Sequence, residues 1–274
     1  MHSFAQTNIQ LFNQLRAEGY SSNDINRIRD AYQLTMQLFT GAFRASGKTF
    51  IAHLVSTASI LVSLHVPAKI VATGLLHATY THGDFGNGKK GISNAKREQV
   101  KRVVGKEIEE YLARYATLSW NKKTIPAIFH RIDTLDPLDR DILLVRLANE
   151  LEEYLDFGIV YCGDFKHQQY INYDGHLIVE MAEKLGFPTL ATQLTEAFKE
   201  TASAEIPREL CNTNAQDVSF RLAPKSYQKR LSLTFYNLLI HKPRRLVSAI
   251  ARKFGNLRPS TSMTKDVPTI SQSE

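Results

Sequence analysis

Apolar side chains recur at three-to-four-residue spacing over most of this chain, and no alternating stretch is long enough to make a useful strand. Residues 24–40 set Ile25, Ile28, Tyr32, Met36 and Phe39 on one helical stripe, behind Ser21, Ser22 and Asn23 as N-caps. Thr49 can cap a strongly apolar helix to about His65. Pro67 suits the first turn of the next helix, which reaches about His77 before a Gly-rich loop at residues 81–91. Ser93 can cap a further helix, interrupted at Gly105. Asp136-Pro137 opens another, closed by Gly158, and two more are expected near 168–185 and 188–203. The pattern predicts an all-α bundle over residues 1–206.

The rest of the chain changes character after Pro207. Eleven Lys and Arg residues fall between Asp217 and Asp266 with no carboxylate among them, more than the whole-chain net charge of +7, so the remainder is slightly acidic. Within this stretch, residues 244–254 put Leu246, Val247, Ile250 and Phe254 on one face and Arg244, Arg245, Arg252 and Lys253 outside it. A basic amphipathic helical extension over 207–258 is expected, followed by a disordered tail over 259–274. Residues 229–254 would suit an anionic membrane surface or a partner protein; aliphatic surface makes nucleic acid the weaker candidate. The alternative is that this helix packs back on the body.

With 274 residues, 43% of them hydrophobic, the chain can bury a large core. Cys162 and Cys211 lie far apart without a CxxC partner, which fits a reducing compartment and argues against a zinc–thiolate site. The first twenty residues lack a basic start followed by an apolar run, and no apolar stretch approaches the roughly 20 residues of a spanning helix. A cytoplasmic protein, peripheral at the inner membrane face if the basic helix binds lipid, is expected.

Candidate chemistry is concentrated in three segments: Arg44-Ala45-Ser46-Gly47 followed by Phe50-Ile51-Ala52-His53; Leu75-Leu76-His77; and Arg146-Leu147-Ala148-Asn149. Their order and spacing, over about residues 28–155, resemble the hydrolase domain of the RelA/SpoT family, HD-fold enzymes that remove pyrophosphate from guanosine tetra- and pentaphosphate. The resemblance implies an HD-domain-like helical bundle, with His53 and His77 where the family holds a manganese ion and Arg44 where it approaches the guanine base. The departures are equally specific. Ala78 stands at the metal-binding aspartate, Thr81-His82 at the Glu-Asp pair that activates water, and Asn149 at the last aspartate. Loss of the anionic ligands predicts weak or absent manganese binding.

Repair from nearby residues is open. Glu153 lies one helical turn after Asn149, and His82 and Asp84 follow His77 in the loop. A His53/His77/His82 set would suit zinc or iron better than manganese. The run His77-Ala78-Thr79-Tyr80 is also similar to a group of uncharacterised bacterial HD-like proteins. That likeness implies a rebuilt ligand pocket of His53, His77, Tyr80, His82 and Asn149, with Arg44 and Ser46 on its loop. The alternative is a satisfied buried polar cluster. The glutamates at 107, 109 and 110 with Arg114, and those at 150, 152 and 153, read as solvated helix faces unless the fold turns one inward.

The expected function is a degenerate HD-fold protein that binds a nucleotide or small phosphorylated ligand in the former metal pocket without the ancestral hydrolysis. The alternatives are a divergent metal-dependent phosphohydrolase and a membrane-peripheral or partner-binding scaffold.

Overall fold

The computed structural model describes residues 4–162, 165–207, 209 and 219–224. The basic extension beyond Pro224 and the tail from 259 lie outside the described residues. Helices α1 (Asn8–Ala17), α2 (Ser22–Phe39), α3 (Phe50–Ser63), α4 (Ala68–Leu76), α5 (Thr79–His82) and α6 (Asn94–Thr117) make the first part of an all-α bundle. They are followed by α7 (Thr124–His130), α8 (Pro137–Tyr154), α9 (Gly158–Tyr161), α10 (Phe165–Lys184) and α11 (Pro188–Ser203).

The caps read from the sequence form. Ser21, Thr49, Ser93 and Asp136 each accept from the backbone N–H three residues on, satisfying an otherwise orphaned donor. Pro137 takes the first turn of α8, and Gly105 adopts φ 84° inside α6, where it breaks the helical geometry. Helix α1 carries a reciprocal cap between Thr7 and Gln10, a signature not read from the sequence.

Helix α3 lies at the centre of the bundle. Almost its whole surface is buried, including Ser56, Thr57 and Ser59, which explains why it is apolar nearly all round. It forms an antiparallel hairpin with α4, and α8 packs across both. The hairpin closes tightly at Gly74: a Cβ there would come within 2.5 Å of Leu61 Cδ1 and 3.5 Å of Ala58 Cα. This close approach brings the first turn of α3 against the C-terminal end of α4, and therefore His53 against His77.

Two short strands depart from the purely helical expectation. Ala42–Phe43 (β1) pairs antiparallel with Phe220–Arg221 (β2), and the Phe43 and Phe220 rings stack at 5.3 Å. Arg221 also donates to the carbonyls of Leu38 and His82. The compact unit that includes the bundle therefore runs to Leu222, past the change of character at Pro207. Among the described residues no helix is long and apolar enough to cross a membrane.

Candidate functional site

A cavity of about 400 Å³ opens at the junction of the β1–α3 loop, the end of α4 and the C-terminal half of α8. The loop is a tight hairpin. Gly47 N donates to Arg44 O (2.9 Å), Arg44 N donates to Lys48 O (2.8 Å), and Gly47 takes φ 86°, a left-handed conformation that glycine adopts without steric cost. Ser46 packs against Gly158, where an added Cβ would meet its side chain at 3.1 Å. The turn thus holds Arg44 and Lys48 over the end of α8. Helix α8 presents Asn149, Glu152, Glu153 and, just past its end, Asp156, an i, i+3, i+4, i+7 set that shares one face.

At the floor, His53 Nε2 and His77 Nε2 face each other at 3.3 Å, and both rings are buried. Each Nδ1 meets an acceptor. His77 Nδ1–H donates to the Gly74 carbonyl (2.8 Å), and His53 Nδ1–H donates to Glu152. The protons therefore sit on Nδ1, leaving two bare Nε2 lone pairs turned toward one another. Burial holds both imidazoles well below their ordinary pKa, with Arg44 adding to the effect at His53 and His53 adding to it at His77. Neutral rings in these tautomers have the form that nitrogen ligands take.

Arg44 occupies the space in front of His53. Its Nη1 donates to His53 Nε2 (3.0 Å), and its Nη2 pairs with Glu153 Oε1 (3.1 Å). Asn149 Nδ2 also donates to Glu153 (3.4 Å), which fixes the orientation of the amide and leaves the buried Oδ1 without a hydrogen-bond partner. Burial works against ionisation of Glu153, but Arg44 and Arg146 overcome it and hold the carboxyl down to about 2. Glu152 is placed differently: burial pushes it up to about 8 although Lys48 and Arg44 favour its charge. Lys48 bridges Glu152 and Asp156, the latter at 2.9 Å.

Several residues read from the sequence meet here: Arg44, Ser46, His53, His77, His82 and Asn149 line the cavity, as does Glu153. Tyr80 does not. It is buried at a separate cluster where its hydroxyl donates to Glu109 (2.8 Å), which is fully buried and also binds Arg97. His82 stands on the rim with Nδ1 at Thr81 Oγ1 (2.9 Å) and its ring against Phe50; burial, with Lys90 and Arg44, lowers it to about 4. Asp84 faces Arg221 instead (3.5 Å).

The expectation of solvated glutamate faces fails at four positions. Glu109, Glu150 and Glu152 are buried in ion pairs and Glu153 is largely covered, because α6 and α8 turn these carboxylates toward arginine and lysine partners from the same or other elements. Glu107 and Glu110 are exposed as expected. Glu152, which reads as surface in the sequence, is a residue of the cavity, and Lys48 beside the Arg44 loop joins it there. The three-residue step from Asn149 to Glu152 was the available signal.

These residues as arranged do not fit a metal ion. Among the described residues no group of three His, Cys, Asp or Glu side chains converges to hold one, so the three-histidine set is not assembled. A guanidinium faces the nitrogen that would ligate.

Comparison with known proteins gives three findings. A family described as a domain of unknown function (DUF6817) matches residues 35–119, less than half of the chain. The chain is 24% identical over 180 residues to the GTP pyrophosphokinase rsh of Brucella suis biovar 1 (strain 1330). That alignment covers 63% of this chain but 22% of the relative, so the chain spans about a fifth of the relative's length. Among solved structures, it is similar to a metazoan orthologue of SpoT described as hydrolysing ppGpp, at 14% identity and a TM-score of 0.44, covering 66% of this chain and 96% of that one.

Proposed function

We propose that the protein binds a small phosphorylated ligand in this cavity, guanine nucleotides being the first class to test, and does not hydrolyse it by the metal-dependent route of the RelA/SpoT hydrolases. The observation that carries this reading is the position of Arg44. It serves acceptors on both sides, His53 and Glu153, so a side-chain cation stands beside the two histidines. Arg44, Lys48 and Arg146 line the same cavity, whose volume falls in the range of small-molecule sites. A phosphate would compete with Asp156 for Lys48, and Asp156 is the more exposed of that lysine's two partners. The partial sequence similarity to a GTP pyrophosphokinase favours guanine over other bases.

Thermal-shift and calorimetric titration with GDP, GTP and guanosine tetraphosphate, against ATP and inorganic phosphate, tests the reading. Binding weakened at least about tenfold by Lys48→Ala would support it, by loss of a charge-assisted contact. No shift with any of these ligands at millimolar concentration would sink it.

A divergent metal-dependent phosphohydrolase is the second reading, favoured by the mutual orientation of the two Nε2 atoms. Phosphate or pyrophosphate release from the same nucleotides with added manganese or zinc, lost in His53→Ala, would establish it in place of the first.

A further inference from the structure

We infer that the inner end of the cavity takes the edge of a neutral heterocycle with adjacent N–H donors, guanine among the nucleobases. A nucleotide would then enter base first, with its phosphates outward at Lys48. The inference rests on the nucleotide reading above and assigns the contacts that would select the base.

Two buried acceptors on the cavity wall have no donor. The Nδ2–H of Asn149 donates to the Glu153 carboxylate (3.4 Å), an acceptor that excludes the flipped amide, and Oδ1 is left without a partner. His77 gives its ring proton to the Gly74 carbonyl (2.8 Å), which only accepts, so its Nε2 is a bare lone pair. The nearest polar group, His53 Nε2 at 3.3 Å, itself accepts from Arg44 and has no proton to offer. Asn149 and His77 are both more than nine-tenths buried, and both line the cavity. Acceptors left without a donor are costly, and a donor-bearing group inside the cavity would satisfy them.

An anion does not suit this end. Arg44 is paired with Glu153 (3.1 Å), Arg146 with Glu150, and Lys48 with Glu152 and Asp156. A phosphate against His77 and Asn149 would set anionic oxygens on two lone pairs, beside the Glu153 carboxylate. At Lys48 it displaces only Asp156, whose side chain is 43% exposed against 2% for Glu152. A neutral donor therefore fits the inner end and an anion the outer one. Phe50, Tyr115, Leu118 and Ile159 give a planar ring aromatic and apolar surface between them.

The nucleobases differ in the edge they offer. Guanine sets two donors side by side, N1–H and the 2-amino group. Adenine and cytosine place a ring acceptor next to the amino group, and uracil flanks its one N–H with two carbonyls. Each of those three would bring a lone pair against an acceptor. Hypoxanthine keeps N1–H and lacks the amino group, which makes it the sharpest comparison.

The experiment is calorimetric titration of the full chain with GDP, inosine diphosphate and ADP, and with guanosine and inosine, for wild type and Asn149→Leu. Wild type is expected to bind GDP at least about fivefold more tightly than inosine diphosphate, and ADP more weakly still. Guanosine should keep the preference over inosine without any phosphate. Asn149→Leu should weaken GDP at least about fivefold. Equal binding of GDP and inosine diphosphate would mean that an ordered water serves these acceptors, and would overturn the inference while leaving the nucleotide reading standing. Unchanged GDP affinity in a folded Asn149→Leu would overturn it equally. If that variant does not fold, imidazole ¹⁵N spectra of wild type decide: the His77 Nε2 resonance is expected to move on saturation with GDP, and an unmoved resonance refutes the contact. No binding of GDP or guanosine would sink both readings together.

Discussion

His53, in the first turn of α3, donates its Nδ1–H to Glu152, in the last turn of α8 and 99 residues further along the chain. Lys48 bonds the other oxygen of the same carboxylate. The three side chains tie together the loop, α3 and α8, the elements that build the cavity. The prediction is that Glu152→Ala lowers stability by about 1–3 kcal/mol in denaturant unfolding, because it leaves the buried His53 Nδ1–H without its acceptor while Lys48 keeps only Asp156. Glu152→Gln, which keeps the shape and an acceptor for one partner, is expected to cost less. Equal losses would argue that packing, and not the ion pair, matters here.

Acid sensitivity should trace to Glu153. Its folded pKa of about 2 lies below the ordinary 4.5, so between those values the unfolded chain binds more protons than the folded one. The stabilisation is present above about pH 4.5 and is lost as pH falls toward 2. It is at most about 3 kcal/mol, from the size of the shift. Glu153→Gln should flatten this part of the stability–pH curve. A curve parallel to wild type over that window would count against the Arg44–Glu153 pair.

The hairpin contact at Gly74 should be unforgiving. Gly74→Val places branched carbon where Leu61 Cδ1 and the Ala58 backbone already lie, and Leu61 is fully buried with no space to retreat. Destabilisation of about 2 kcal/mol or more is expected from overpacking, with loss of ligand binding as His77 moves from His53. An unchanged Tm would mean that the two helices separate at little cost.

Tyr80 should behave as a structural residue. Tyr80→Phe removes the hydroxyl donated to Glu109 and is expected to cost about 1 kcal/mol. Nucleotide affinity should stay unchanged, since the ring lies outside the cavity. A fall in nucleotide affinity without loss of stability would return Tyr80 to the site.

The sequence alone determined the helices, for local reasons, and marked the residues of a candidate site. Ser21, Thr49, Ser93 and Asp136 cap by reaching backbone groups three residues away, and apolar periodicity chooses the buried face, so both can be read from neighbours in the chain. His53, His77 and Asn149 could be picked out by the resemblance of their segments to the RelA/SpoT hydrolase motifs. Their partners could not. Glu152 and Glu153 look like surface charge on a helix wheel; only the crossing of α8 over the α3–α4 hairpin buries them against Lys48, Arg44 and His53. Tyr80 stands one turn from His77 in sequence, but α5 turns its side chain to Glu109 on α6. Above all, the tertiary structure decided that a guanidinium lies against the first histidine. Charge compensation in a buried cluster depends on which distant side chain reaches it, and that is a property of packing.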